Sequence, residues 1–470
     1  MVDKLMKNIF STKNMLKPEL VRGELPETKE AYGNLMRMAL PSVIEMVLSS
    51  LIGSMDTMMV GTLGAASIAA VGLTGQPRML VLSLFFALNI GVTAVVSRRK
   101  GEERQKDAVA TLKNALVIIA ILSLIITALA IVFATPLMRL AGAIEGETLD
   151  DSVLYFIIII AGAPINAMTM VINAAQRGIG NTKLTMYANG ASNIVNVVFN
   201  YLLIGGNFGF PKLGVAGAAI ASVIGFVVGF ILCIISVTRR NSYLKLDFKG
   251  SWKPRREVLD PVIKIGSNAV LEQIALRVGF FLFARIVADL GTDNFAAHQI
   301  CSQFMIITFT FGDGIGVAGT SLVGQNLGRK RPDISMLYGK ISQRVALCVS
   351  AVIFILLVLL RFPLVSLFSK EAHIITLSAN LLLILAVTQI FQTTSVVITG
   401  CLRGAGDTKF VAKVMVICVT ILRPAIAFTA IHLLHFGLYG AWIATMLDTI
   451  TRMICVYIRF ASSKWAEIKV

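Results

Sequence analysis

Charged side chains are absent from long stretches of this chain. No Asp, Glu, Lys or Arg occurs in 114–138, 152–176, 184–211, 213–238 or 374–402, and each run is 25 residues or longer. About 20 apolar residues suffice to cross the hydrocarbon of a bilayer as a helix. Hydropathy, cut at breakers and charge clusters, predicts twelve such spans. They lie near 35–60, 75–97, 110–136, 152–177, 184–205, 213–238, 261–288, 295–324, 341–361, 374–402, 410–432 and 437–460. The expected fold is therefore an all-α polytopic membrane protein.

The charge between the spans orients them. A net charge of +17 could suggest a nucleic-acid partner. The placement of the basic residues argues against one. Twenty-eight Lys and Arg fall in the termini and alternate loops, and only Arg139, Lys212, Arg361 and Lys370 fall in the loops between. Such a bias sets topology, with the basic side in the cytoplasm. Both termini are expected there, in a multi-pass protein of the plasma (inner) membrane. The first 34 residues contain no apolar run of signal-peptide length.

Composition agrees: 56% of residues are hydrophobic and 15% charged, where a soluble chain carries about a quarter charged. The six cysteines all sit in apolar stretches without a CxxC pair, which suits neither a metal site nor a disulfide framework. GIGNTK and GAGDTK, at 178–183 and 404–409, are too short for a phosphate-binding loop, and no hydrolytic signature occurs. Neither an enzyme nor an ATP-driven pump is expected, and no cofactor is implied.

The chain is duplicated. A shift of 227 places Glu45 on Glu272, Gly64 on Gly291 and Pro136 on Pro363. A shift of 226 places Arg177–Lys183 (RGIGNTK) on Arg403–Lys409 (RGAGDTK), and one of 223 places Gly214 and Gly217 on Gly437 and Gly440. Six spans per repeat give both halves one orientation, related by a pseudo-two-fold along the membrane normal, an architecture used by transporters. The expected organisation is a tail over 1–34, an N-lobe over 35–238, a linker over 239–260, a C-lobe over 261–462 and a tail over 463–470. The glycines read as structural: RGxG(N/D)TK as helix ends with Asn181 and Asp407 as N-caps, and Gly214, Gly217, Gly437 and Gly440 as close helix contacts.

Ionisable residues inside spans are costly and mark functional candidates. Glu45, Asp56, Glu272, Asp313, Arg423, Asp448 and Arg452 qualify. Glu45 and Asp56 are 11 residues apart and share a helix face, with Ser49 between them. A carboxyl among apolar helices can exchange a proton, and with added oxygens it can hold Na⁺. Asn189, Asn193, Asn196 and Asn200 form one stripe, which either glues helices or lines a cavity facing Asp56. Asn166 and Asn173 share a face of the preceding span. Gln299 and Gln303, and more weakly Gln389 and Gln392, are further cavity candidates. Asp448 and Arg452, at i and i+4, are expected to pair.

These residues resemble the multidrug and toxic compound extrusion (MATE) family. The likeness lies in Pro41 through Asp56-Thr57-Met58-Met59-Val60-Gly61-Thr62-Leu63-Gly64, in Ala69-Ala70-Val71-Gly72, in Leu402 through Thr408, and in Gly437-Leu438-Tyr439-Gly440-Ala441. It covers about 35–460. The resemblance implies two six-helix lobes that rock between inward- and outward-open states, exporting organic, often cationic compounds against inward flow of H⁺ or Na⁺. By the same resemblance Asp56 belongs to an N-lobe cation site with Asn173 and Asn196 as amide partners, and Glu272 matches a seventh-helix Glu. Asn200 stands where DinF-like members carry an Asp, and Ser395 where NorM-like members carry one. The chain thus keeps one acid of each familiar pair and adds Glu45.

The expected activity is ion-coupled export of small organic, cationic or amphipathic substrates by a monomer in the bilayer. The coupling acids are Glu272, Asp56 and Glu45, Na⁺ if used sits at Asp56 or Glu272, and the leading single acid is Glu272. The rival from another class is a flippase for a lipid-linked precursor, which would need a cationic cavity built around Arg423 and Arg277.

Overall fold

The computed structural model describes residues 10–247 and 252–468, apart from the side chains of Ser54, Thr57, Ala65 and Ala66. The ends of both expected tails and part of the expected linker, 248–251, lie outside those residues. Among the described residues there is no strand. Each half supplies six long helical segments. The first half forms α1 (Thr28–Gly61), α2 (Ala65–Gly101), α3 (Gln105–Val132), α4 (Glu147–Ala161 and Ala163–Gly178, bent by 45°), α5 (Thr182–Gly205) and α6 (Gly214–Thr238). The second forms α7 (Arg256–Ala288), α8 (Thr292–Gly328), α9 (Pro332–Ser366), α10 (Ala372–Gly404), α11 (Thr408–Leu433) and α12 (Gly437–Ala461).

Among the described residues nine of these helices are long and apolar enough to cross a membrane, and α4 taken as one span is a tenth. The remaining two are α5, which carries the asparagine stripe, and α7, which carries Glu272, Arg277 and Arg285. Their polar load lowers their hydropathy, and both contribute buried polar side chains to their unit, as intramembrane polar residues usually do.

By packing, the chain divides into residues 44–266 and residues 1–43 with 267–470. Residues 10–43 fold with the later half of the chain. There Met15, Leu16, Leu35 and Met38 share a core with Ile315, Leu322 and Val397. The tail is tied down by Lys340 Nζ donating to Met15 O at 2.6 Å and by Arg22 N donating to an Asp333 oxygen at 3.0 Å. In the 44–266 unit, Val60, Met138, Phe156, Ile160 and Ala219 form the core.

The repeat is visible in local geometry. Gly180 and Gly406 hold φ of +90° and +88° where α4 and α10 end, a conformation that glycine adopts without penalty. The side chains of Asn181 and Asp407 do not cap the following helices. Asn181 Nδ2 donates instead to Gln176 Oε1 at 3.2 Å, and Asp407 accepts from Arg459 Nε at 2.6 Å. The expectation of side-chain caps is thereby corrected: each short polar group is drawn to a side-chain partner nearby. Helix α11 contains π-helical turns over Val416–Leu422 and Thr429–Leu433, on either side of Arg423 and Pro424.

Candidate ion-coupling site

In the 44–266 unit α1 and α5 meet through a register of polar pairs. Asn189 Nδ2 donates to Glu45 Oε1 at 2.6 Å, Asn193 Nδ2 to Ser49 Oγ at 3.1 Å, and Asn200 Nδ2 to Asp56 Oδ1 at 2.6 Å, each pair 144 residues apart. A constant offset means parallel helices with matched rise. The side-chain spacing i, i+4, i+11 places all three pairs on one face.

The two ends of this register differ. Glu45 is 4% exposed and accepts from Arg177, from Asn189 and from Thr185 Oγ1 at 2.9 Å. Asn173 belongs to this cluster. Its Nδ2 donates to Asn189 Oδ1 at 3.0 Å, and its own Oδ1 accepts from Cys233 at 3.2 Å. Asp56, at the other end, forms no ion pair among the described residues. It faces a cavity of about 240 Å³ lined by Arg78, Asn166, Ser192, Asn193, Asn196 and Ser222, with apolar walls from Leu82, Ile160 and Phe226.

Close helix contact builds the floor of that cavity. A Cβ on Gly225 of α6 would meet Ser192 O at 2.8 Å, so only glycine lets α6 lie this close to α5. Ser192 Oγ donates to Gly225 O at 2.7 Å across the contact. Ser222, one turn earlier, thereby reaches Asn196. The Asn196 amide, oriented to satisfy both its ends, donates to Asp56 Oδ1 at 2.8 Å and Oδ2 at 3.2 Å, and accepts from Ser222 N at 3.2 Å and Oγ at 3.1 Å.

In the other unit Glu272 is fully buried and paired with Arg403, while its Oε2 has no hydrogen-bond partner. Repeat-related arginines thus meet repeat-related glutamates. The further partners are not repeated between the halves, because Thr185 and Asn189 become Val411 and Met415 at the shift of 226. Asp448 accepts from Arg423 Nε at 3.0 Å and Nη2 at 2.5 Å. Arg452, the expected i+4 partner, reaches it only at 3.9 Å and donates instead to Gln392 Oε1 and Thr449 Oγ1, both at 3.3 Å. The tertiary partner on α11 displaces the local one because it offers two donors to a fully buried carboxylate. Ser395 is buried on α10, and Gln389 accepts from Thr308 at 2.8 Å. Gln299 and Gln303 of α8 are exposed. The structure therefore groups Asp56, Asn193, Asn196 and Asn200, and sets Asn173 with Glu45 and Gln392 with Arg452.

Sequence reasoning passes over three contributors. Arg78 is the one charged residue between Asp56 and Arg98, and that isolation is a usable signal. The repetition of Arg177 and Arg403 beside one acid per half is another. Ser222, in a small-residue helix, carries none.

A polytopic membrane protein of twelve helices in two repeated halves, with buried carboxylates among amides, belongs among secondary transporters. The family model MatE matches twice, over 41–202 and 269–429, one match per repeat. The chain belongs to that family, the MATE transporters. It is 28% identical over 457 residues to "Probable multidrug resistance protein NorM" of Thermotoga maritima, covering 97% of each chain. It is 29% identical over 436 residues to "Uncharacterized transporter YisQ" of Bacillus subtilis, covering 92% of this chain and 95% of that one. Among solved structures, an outward-facing multidrug resistance MATE family transporter of the MOP superfamily superposes with a TM-score of 0.87 at 22% identity. That superposition covers 95% of this chain and 98% of that chain.

Proposed function

We propose that the protein is a secondary active exporter in which small organic compounds, cationic or amphipathic, leave the cell in exchange for H⁺ or Na⁺ entering it. Asp56 is the coupling acid of this reading. One observation carries it: Asp56 faces a cavity among amides and hydroxyls without an ion pair among the described residues, whereas Glu45 and Glu272 are each closed by an arginine. A carboxylate that must load and unload an ion once per cycle needs access and a modest number of fixed bonds. Glu45, with its three donors, has the opposite character.

The cargo reading draws support from the relative named as a probable multidrug resistance protein. In the cycle we propose, the ion-loaded and cargo-loaded forms alternate, and two six-helix lobes over 35–238 and 261–462 give alternating access across the plasma membrane. Both termini are cytoplasmic, and the working unit is a monomer.

Efflux of a fluorescent organic cation from proteoliposomes, under an imposed H⁺ or Na⁺ gradient, tests this reading. Gradient-driven efflux lost in Asp56→Asn and retained in the Glu272→Gln/Arg403→Gln double variant, which leaves no buried charge unpaired, supports it. Loss in a double variant that melts like wild type, with efflux intact in Asp56→Asn, moves the coupling acid to the other unit. A wild type that moves no cation under either gradient gives precedence to the flippase, with Arg423 and Arg277 as the residues to vary.

A further inference from the structure

The side chains bonded to Asp56 are of one kind, amide N–H donors. Asn200 Nδ2 reaches Oδ1 at 2.6 Å, and the Asn196 amide nitrogen reaches both carboxylate oxygens at 2.8 and 3.2 Å. Arg78 lines the same cavity, and its buried Nε has no hydrogen-bond partner. The amide oxygens are directed elsewhere: that of Asn196 to Ser222, and that of Asn200 to a buried position without a partner. Tyr155 of α4 neighbours both Arg78 and Asp56.

A Na⁺ ion needs the reverse arrangement. It is a hard cation that replaces its hydration shell with oxygens. For the two amides now bonded to Asp56 to offer it oxygens, both would have to turn, one of them leaving Ser222. The ion would also share a small cavity with a guanidinium. Within one cavity of about 240 Å³ in a poorly screened interior, two cations repel. A proton needs neither oxygens nor space. Once Asp56 is protonated, a single cation remains, Arg78, whose long half-buried side chain can turn toward water.

We propose that Arg78 is the resident counter-cation of Asp56 and makes it a proton site that rejects Na⁺. The proposal rests on the reading of Asp56 as the coupling acid and adds the identity of the ion. Arg78 acts through Asp56, as a selectivity-determining residue.

The full-length protein in proteoliposomes gives the test. Efflux of a fluorescent organic cation is driven either by a pH gradient without Na⁺ or by a Na⁺ gradient at one pH. The wild type is expected to respond to the pH gradient, with less than about a twofold response to Na⁺. Arg78→Gln is expected to raise the Na⁺-driven rate at least about tenfold and to bind ²²Na⁺ in detergent, where wild type and Arg78→Lys do not. A wild type driven by Na⁺ at fixed pH overturns the proposal. So does an Arg78→Gln protein that melts like wild type and keeps its proton selectivity. If Arg78→Gln does not fold, Arg78→Met, which keeps an apolar stem of similar length, takes its place with the same expected gain of Na⁺ response, and unchanged proton selectivity in it overturns the proposal. Asp56→Asn separates the two readings. Gradient-driven efflux that survives in it removes the coupling site itself, whereas an inactive Asp56→Asn beside a Na⁺-driven wild type removes only the role of Arg78.

Discussion

Asn200 donates to Asp56 at 2.6 Å across the same 144-residue offset that separates Asn189 from Glu45. The register ties the open carboxylate of Asp56 to the closed one of Glu45 through two rigid helices. A slip of α1 against α5 by one residue would break all three pairs together. The asparagine stripe therefore both glues helices and lines a cavity, and the difference between its ends is one of partners. Glu45 has an arginine and a threonine in addition to its asparagine.

Asn200→Leu removes a charge-assisted donor from Asp56 and leaves the shape nearly unchanged. Such a bond contributes about 1.5–3 kcal/mol. The loss depends on the Asp56 carboxylate, so Asn200→Leu should cost at least twice as much in the wild-type background as in Asp56→Asn. Thermal melting of the four proteins in detergent measures the coupling. Equal losses in both backgrounds would show that Asn200 matters for packing alone.

The two glutamate–arginine pairs predict a different pattern. Removing one member of a buried pair costs about 3–5 kcal/mol, because the other charge is left behind. Glu272→Gln and Arg403→Gln should each lower the melting temperature sharply, and the double variant should recover at least half of the summed loss. In the 44–266 unit, Thr185→Val imitates the C-terminal half, which has Val411 there. It should cost about 1.5–3 kcal/mol, as the loss of a donor to a carboxylate. A double-mutant cycle that shows simple additivity would contradict the first expectation.

Much of this architecture is legible in sequence. Twelve helical segments, ten of them apolar enough to span among the described residues, the repeat and the face shared by Glu45, Ser49 and Asp56 follow from period and composition, because a helix satisfies its own backbone within the bilayer. Partner choice is not legible. Asp448 takes Arg423 rather than Arg452, and Asn173 joins Glu45 rather than Asp56, because tertiary packing decides which donors face a given carboxylate. Arg78 goes unassigned for a similar reason. Its isolation on α2 is visible in the sequence, but the cavity it shares with Asp56 arises only when α2, α4, α5 and α6 assemble.

The Arg423–Asp448–Arg452 cluster yields an ordering. Asp448→Asn removes the carboxylate between two buried guanidinium groups and should be the most damaging single change there, by about 3–5 kcal/mol. Arg423→Gln should come next, since it loses both close bonds to the Asp448 carboxylate. Arg452→Gln should cost least, because Arg452 bonds to neutral Gln392 and Thr449 and lies 3.9 Å from the carboxylate. Melting temperatures of the three purified variants give the order directly, and Arg452→Gln as the worst would reverse the assignment of partners.

Gly217 offers a test of whether a helix contact outside the cavity lining controls the site. A Cβ there would meet Leu203 O at 2.6 Å and Leu203 C at 2.8 Å. Both are backbone atoms, so no rotamer change relieves the clash, and α6 must move away from α5. Gly225, Ser222 and their contacts with Ser192 and Asn196 lie one to two turns further along the same helix. Gly217→Val should therefore loosen the Asn196–Ser222 link and free the Asn196 amide to turn. Gradient-driven efflux should fall at least about tenfold, with Asp56 itself untouched. Gly190→Ala is the matched control, because a Cβ there meets nothing within 4 Å and the exchange gains roughly 1 kcal/mol of helix propensity. It should transport like wild type and melt slightly higher. If both variants transport normally, the site tolerates separation of α5 and α6, and the close packing at Gly225 has no part in holding Asn196 to Asp56.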